Sequence, residues 1–167
     1  MSIEIRDERP DDAATIRDVK RLAFGQDQEA NIVDALRAAG GLLLSLVATL
    51  DGRIVGHVAY SPVLAHGIGG AGLGPVAVLP DHQRQGIGSA LIERGNARLR
   101  DAGCPFIVVV GHPDYYPRFG FRPASGYGLT CEWEVPDNVF MALVLDESRM
   151  RGVSGCARYR QEFSTVG

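Results

Sequence analysis

The N-terminal part of the chain carries the pattern of one short strand followed by two helices. Residues 3–6 alternate between apolar and polar side chains, as in a strand with one buried face. Pro10 and the acidic residues after it are typical of a helix start. Apolar residues then recur at helical spacing up to Gly40, with an interruption near Gly25. This pattern predicts two consecutive helices.

Three apolar runs rich in β-branched residues follow, and they predict a meander of antiparallel strands. They cover residues 42–50, 53–64 and 68–78. The first two runs are joined by Asp51 and Gly52, the pair favoured in a type I′ hairpin turn. The third run follows after a short connection that contains glycine, so the three strands are expected to be neighbours in one sheet.

A strand–helix–strand unit is predicted after the meander. Pro80 ends the third strand, and a helix begins near residue 87 and is closed by Gly103. Residues 106–110 are continuously apolar, which is typical of a strand that is buried on both faces and parallel to its predecessor. A last strand is predicted around residues 139–145, and the residues after it show no clear pattern.

These elements indicate a single α/β domain with a mixed sheet. The whole chain, residues 1–167, is assigned to it, with a core at residues 3–145 and a tail at residues 146–167. No repeat, linker or low-complexity tract divides the sequence, and a chain of 167 residues fits one domain.

Composition narrows the class of protein. Hydrophobic residues make up 46% and charged residues 22% of the chain, as in ordinary globular proteins. The formal net charge of -3 gives no indication of a positively charged surface that would bind nucleic acid. The longest apolar stretch, residues 41–50, is far shorter than the ~20 residues of a membrane span, so no membrane segment is expected. Three widely spaced cysteines without a signal-peptide pattern favour a cytoplasmic location.

Candidate chemistry begins at residues 83–89, where two glycines open a predicted helix. The main-chain N–H groups of a first helical turn lack intrahelical partners, and the helix dipole adds a partial positive charge there. Gly86 and Gly88 remove side chains that would keep an anion away from the main chain, and Arg84 could add a bidentate contact. A pyrophosphate fits this turn; a helix start that is merely loosened by glycine is the alternative.

Leu91 stands at the third glycine position of a dinucleotide fingerprint, and the chain has no Gly-Lys pair of a Walker loop, so dinucleotides and ATP are disfavoured.

Three motifs together resemble the GNAT superfamily of N-acetyltransferases. They are the strand at residues 74–78, the turn at residues 83–88 that matches Q/R-x-x-G-x-G/A, and residues 116–121, which match Y-x-x-x-G-F. The resemblance implies an α/β fold with a mixed, mostly antiparallel sheet, splayed parallel central strands and flanking helices. It also implies acetyl-CoA as co-substrate. No metal is expected, because the chain has no C-x-x-C or H-x-x-x-H spacing.

The same resemblance implies cofactor-binding roles for two segments and one further residue. The main chain of Val76, Ala77 and Val78 is implied to pair with the pantetheine arm as an added strand would, often with the help of a bulge. The pyrophosphate is implied to lie on the turn formed by Gln83, Arg84, Gln85, Gly86, Ile87, Gly88 and Ser89. Many members carry an asparagine after the next strand; His112, in that region here, is predicted to lie on the cofactor side.

Acetyl transfer to an amine needs a proton for the departing thiolate and a neutral amine. Tyr116, which the Y-x-x-x-G-F motif matches, is the candidate general acid because its phenol is protonated at pH 7. Aromatic packing is its alternative role. His57, a polar residue in an apolar strand, and Glu29, near the start of the second helix, are candidate bases, and His112 is a third. The plain alternatives are a core histidine for His57 and a carboxylate that stabilises the helix dipole for Glu29.

The predicted function is that of an acetyl-CoA-dependent N-acetyltransferase, which moves the acetyl group from the thioester to a primary amine by direct attack. An acyl-CoA-binding module without turnover and an N-acyltransferase for another acyl group are the alternatives. The acceptor is expected to be a small-molecule or protein amine. No nucleic-acid or membrane partner is expected, and a homodimer is one of the oligomeric states left open.

Overall fold

Nine strands and five helices follow one another along residues 2–165, the part of the chain that the computed structural model describes. The strands are β1 (Ile3–Asp7), β2 (Leu44–Leu50), β3 (Arg53–Ala65), β4 (Ile68–Val78), β5 (Phe106–Val110), β6 (Arg122–Pro123), β7 (Leu129–Cys131), β8 (Phe140–Val144) and β9 (Gly155–Tyr159). The helices are α1 (Ala13–Phe24), α2 (Gln28–Ala38), α3 (Ile87–Asp101), α4 (Glu147–Met150) and α5 (Glu162–Thr165). Across these residues, no helix combines the length and the apolar character that a membrane crossing requires.

Helices α1 and α2 lie close to the predicted positions. A single 3-10 turn at Pro10–Asp12 precedes α1, and Gly25 ends α1 in the left-handed conformation with a φ of 70°. Gly40, with a φ of 69°, follows the end of α2. Buried Ile16 of α1 and Val33 of α2 belong to one apolar cluster, so the helical spacing of apolar residues forms core as expected.

The predicted hairpin between β2 and β3 is confirmed. The two strands pair antiparallel, from Leu44 opposite Tyr60 to the turn. Asp51 and Gly52 both have positive φ, 52° and 81°, which is the backbone that a type I′ turn requires. Strand β1 pairs antiparallel with β2 on the other side.

The sheet is mixed and mostly antiparallel, as predicted. Its strand order is β1-β2-β3-β4-β5-β8-β6, and β9 joins both β3 and β7. Strand β5 runs parallel to β4, with Ala71 opposite Ile107, and antiparallel to β8. The crossover helix between β4 and β5 is α3, so the predicted strand–helix–strand unit is confirmed.

Strand β8 is not the last strand, and this is a correction to the sequence prediction. Strand β9 lies in the segment that was assigned to the tail and pairs antiparallel with β3, with Val63 opposite Tyr159. Ala157 of β9 is fully buried. The segment escaped prediction because it is short, lacks alternation and gains its partners only from strands that are distant in sequence.

The chain divides into two compact units. Among the described residues, the first unit comprises residues 2–61, 74–95 and 161–165, and the second comprises residues 62–73 and 96–160. The core of the second unit gathers buried apolar side chains from five strands and their loops, among them Val63, Phe106, Leu129, Phe140 and Ala157. One domain over residues 1–167 stays a prediction.

Candidate active site

The turn before helix α3 begins with a hydrogen bond back to strand β4. Gln83 donates from Nε2 to the Val78 carbonyl at 2.9 Å, just after the 3-10 turn at Pro80–His82. Arg84 and Gly86 then have positive φ, 63° and 82°. These two left-handed residues reverse the chain into the start of α3.

Space is open beside the main chain at Gly86. A Cβ placed on this residue would meet no atom within 4 Å. Its carbonyl accepts the N–H of Ala90 at 3.0 Å, so the hydrogen bonds of helix α3 begin at Gly86. The side chains of Gln83, Arg84 and Gln85 around it are exposed. An open helix N-terminus with an arginine beside it fits a phosphate group, as the sequence predicted.

Ile87 anchors this turn to the first unit. Its side chain is buried, and a Cβ on Gly56 of β3 would lie 3.2 Å from both Ile87 Cγ2 and Leu91 Cδ1. Gly56 therefore lets α3 approach β3 closely. Gly88 and Ser89, which follow in the helix, are half-buried.

Strand β4 carries the three residues whose main chain is predicted to meet the pantetheine arm. The side chain of Ala77 is buried, and those of Val76 and Val78 are half-buried. Two side chains hold this part of the strand. The Val78 carbonyl accepts a hydrogen bond from Gln83, and the Pro75 carbonyl accepts one from Lys20 Nζ at 2.5 Å. Contact of these three residues with a cofactor stays a prediction.

Tyr116 opens a 3-10 helix in the second unit and lies among aromatic rings. Its ring centroid is 5.1 Å from that of Tyr115 and 5.8 Å from that of Phe121, and both contacts are edge-on. Gly111 makes room for the ring, because a Cβ there would overlap it. The main-chain N–H groups of Tyr115 and Tyr116 both point to the His112 carbonyl, at 3.1 and 3.4 Å. The Tyr116 ring is therefore fixed by its neighbours.

Burial raises the pKa of Tyr116 to about 12, with a smaller contribution from Tyr115. Tyr116 is consequently protonated throughout the neutral range, and a protonated phenol can donate a hydrogen bond to sulfur. Both packing and proton donation agree with this environment, so the role of general acid stays a prediction.

His57 lies in β3 with its side chain fully buried. Its Nε2 is 2.7 Å from Ser45 Oγ, and Ser45 Oγ donates to Glu8 Oε1 at 2.6 Å. Because the serine proton goes to Glu8, the imidazole donates from Nε2, and Nδ1 carries the lone pair. Within residues 2–165, Nδ1 has no hydrogen-bond partner.

The environment of His57 keeps its imidazole neutral. Burial first, and then the positive charges of Lys20 and Arg37, hold the pKa of His57 well below its usual value. A neutral imidazole can accept a proton, yet no part of this side chain is exposed to an acceptor amine. The geometry therefore agrees better with a core histidine than with a base, and the base role of His57 stays a prediction.

Glu29 and His112 are the more accessible candidate bases. Glu29, near the start of α2, is half-buried, and the Gln26 amide donates to both of its carboxylate oxygens at 3.1 Å. His112 is exposed on the loop after β5, in the second unit. In the first unit, Glu29 and His57 each interact with Lys20: the charge of Glu29 raises the pKa of Lys20, and the main-chain carbonyl of His57 lies 3.4 Å from Lys20 Nζ.

Lys20 and Glu8 were not identified from the sequence as residues near the candidate site. Lys20 is fully buried in α1, and its only signal was that it is the sole lysine among 17 basic residues. Arg37 donates two hydrogen bonds of 2.8 Å to Glu8, which also receives the Ser45 hydroxyl. No sequence signal links Glu8, Arg37 and Ser45, because they come from three separate segments of the chain.

A domain family and a bacterial protein of similar sequence both match this chain, and both are named for acetyl transfer. The acetyltransferase (GNAT) domain family matches residues 43–123. The uncharacterized N-acetyltransferase YhbS of Escherichia coli (strain K12) is 37% identical over 163 residues, which cover 96% of this chain and 98% of YhbS. With this identity over nearly its whole length, the chain belongs to the GNAT family of acetyltransferases.

Two solved structures of the family match the fold. YhbS from Escherichia coli in complex with CoA has a TM-score of 0.94 at 36% identity, with 99% of this chain and 93% of that chain covered. A GNAT family acetyltransferase from Brucella melitensis in complex with acetyl-CoA has a TM-score of 0.82 at 43% identity, with 97% and 98% covered. The predicted fold and the acyltransferase class are confirmed, and the predicted co-substrate is confirmed at the level of the family.

Proposed function

We propose that this chain transfers the acetyl group of acetyl-CoA to a primary amine by direct attack of the amine on the thioester. The observation that carries the proposal is the open main chain at Gly86, at the N-terminus of α3. The relatives support it, since one was solved with CoA and another with acetyl-CoA. The relatives are named N-acetyltransferases. Their names do not favour the two alternatives, an acyl-CoA-binding module without turnover and an enzyme that transfers another acyl group.

In this proposal the cofactor is held by main-chain groups rather than by charged pockets. The pyrophosphate lies on the N–H groups between Gly86 and Ser89, with Arg84 as a charged neighbour. The pantetheine arm pairs with the main chain from Val76 to Val78, as an extra strand pairs with a sheet edge. Gln83 supports both parts, because its side chain ties the turn to the Val78 carbonyl.

The proposed chemistry balances one proton lost by nitrogen with one gained by sulfur. The amine nitrogen forms a bond to the thioester carbon, and the carbon–sulfur bond breaks. Tyr116 donates its proton to the departing sulfur and takes up a proton from water afterwards, and the proton released by the nitrogen leaves through Glu29 or water. Glu29 is preferred over His57 as the base because its carboxylate is accessible. The amine acceptor, the cytoplasmic location and a homodimer stay predictions.

Coenzyme A and acetyl-CoA are expected to raise the melting temperature of the protein, whereas NAD and ATP are not. A ligand at 100 times its Kd stabilises the native state by about 2.7 kcal/mol, which corresponds to a shift of roughly 5–10 °C for a chain of this size. The measurement is a thermal melt with each ligand, followed by a screen of acceptor amines that detects free thiol. Equal shifts with NAD, or no thiol release with any amine, would contradict the proposal.

Glu29→Gln is expected to lower kcat about tenfold at pH 7, with a smaller loss at higher pH. The amide cannot accept a proton, but a primary amine with a pKa near 10.4 deprotonates in solution as the pH rises, so base catalysis matters less there. The measurement is the pH profile of kcat with any accepted amine. Asp27→Asn is the matched control, because it removes a carboxylate from the same turn; an equal loss in both variants would point to a general charge effect.

A further inference from the structure

Lys20 is the single lysine of a chain that otherwise uses arginine, and among the lysine and arginine side chains of residues 2–165 it is the one with no exposed surface. Arginines serve where cations meet carboxylates, as Arg6 does with Asp12 and Arg37 with Glu8. Lys20, by contrast, makes its hydrogen bonds to main-chain carbonyls. The environment of Lys20 therefore differs from that of these two arginines, because it offers main-chain carbonyls as acceptors.

The two contacts of Lys20 are unequal. The Nζ atom donates to the Pro75 carbonyl of β4 at 2.5 Å and lies 3.4 Å from the His57 carbonyl of β3. A donor–acceptor distance of 3.4 Å is long for a hydrogen bond, so the contact with Pro75 dominates. Lys20 thus ties helix α1 to strand β4.

An amine suits this buried position because it can lose its charge. Burial lowers the pKa of Lys20 well below its ordinary value, and the negative charge of Glu29 opposes this only in part. An amino group can donate to both carbonyls with or without its charge, and it can release its proton where a buried charge would be costly. A guanidinium stays charged in proteins and is bulkier, so arginine cannot replace lysine here without that cost.

The contact at Pro75 holds β4 without occupying the groups that the cofactor needs. Proline has no N–H, so its carbonyl is its only main-chain polar group. Lys20 binds that carbonyl from the helix side, and Gln83 binds the Val78 carbonyl at the other end. The bond from Lys20 uses no main-chain group of Val76, Ala77 or Val78, and the bond from Gln83 uses only the carbonyl of Val78.

We infer that Lys20 is a positioning residue for cofactor binding: its amino group fixes the Pro75 carbonyl and so sets the main chain of Val76 to Val78 in the geometry that receives the pantetheine arm. This inference rests on the proposed function. Lys20 does not touch substrate, because its side chain is fully buried.

Lys20→Met removes the donors and keeps an unbranched apolar side chain in the same space. The Kd for coenzyme A and the KM for acetyl-CoA are expected to rise about tenfold, the equivalent of one hydrogen bond, while kcat at saturating acetyl-CoA stays within about twofold of wild type. The measurements are calorimetry with coenzyme A and steady-state kinetics. A wild-type Kd in this variant would overturn the inference.

Val33→Ala is the matched control for loss of stability alone. Val33 is buried in α2 and makes no contact with β4 that the inference uses, so the variant is expected to melt earlier and to bind coenzyme A with wild-type affinity well below its melting temperature. An equal loss of affinity in Val33→Ala and Lys20→Met would show that destabilisation causes it, and would overturn the positioning role.

A second measurement uses the wild-type protein and does not depend on the folding of any variant. Because the chain has one lysine, protein labelled with ¹³C-lysine gives a single set of side-chain NMR signals. Coenzyme A is expected to shift these signals and NAD is not. Saturation with coenzyme A without a shift would overturn the inference alone, whereas a wild-type protein that does not bind coenzyme A would overturn the proposed cofactor site and the inference with it.

Discussion

Gly86→Asp is expected to abolish binding of coenzyme A. A Cβ at Gly86 points into open space, so the added carboxylate would lie where the pyrophosphate is proposed to bind. Two unit charges 4 Å apart repel by about 4 kcal/mol near a protein surface, which corresponds to a loss of affinity of roughly a thousandfold. The measurement is titration calorimetry with coenzyme A, at a temperature where thermal melts show the variant to be folded.

Gly86→Asn is the matched control for this variant. Asparagine has the shape of aspartate without its charge, and it tolerates the positive φ of 82° at this residue better than most side chains do. The asparagine variant is expected to lose far less affinity than the aspartate variant. If both variants bound coenzyme A equally well, charge at Gly86 would not matter and the pyrophosphate would not lie on this turn.

Elements whose signals are local could be predicted from the sequence. The Asp51-Gly52 turn fixes the β2–β3 hairpin through the backbone preferences of two residues, and the structure has positive φ at both. Strand β9 could not be predicted, because it forms by pairing with β3 and β7, which lie far away in sequence. Pairing energy of that kind leaves no periodic pattern in five residues.

The candidate site divides in the same way. The turn at Gly86 and the loop around Tyr116 were found because each is a contiguous motif with its own backbone chemistry. The group around His57 was not found, since Glu8, Ser45 and Lys20 come from three separate segments that approach His57 only after folding. A buried lysine gives no motif, and only its rarity in an arginine-rich chain marked it.

Tyr116→Phe is expected to lower kcat about 100-fold, the usual scale for general-acid catalysis, and to leave the Kd for coenzyme A near that of wild type. The change removes one hydroxyl and keeps the ring, which packs edge-on against Tyr115 and Phe121. The pKa of Tyr116 is raised to about 12 by burial, so the phenol keeps its proton to higher pH than an ordinary tyrosine. Wild-type kcat is therefore expected not to fall through ionisation of Tyr116 up to about pH 10.

Tyr115→Phe separates proton donation by Tyr116 from packing of the aromatic group. It removes a hydroxyl from the neighbouring ring, which lies under the Arg118 guanidinium at 4.5 Å, and it is expected to change kcat little. Affinity is measured by calorimetry and turnover by thiol release, on both variants and with the same amine. Wild-type turnover in Tyr116→Phe would remove this residue from the mechanism. A loss of affinity as large as the loss of turnover would show that the tyrosine shapes the cofactor site, and the proton would then have to come from water or from His112.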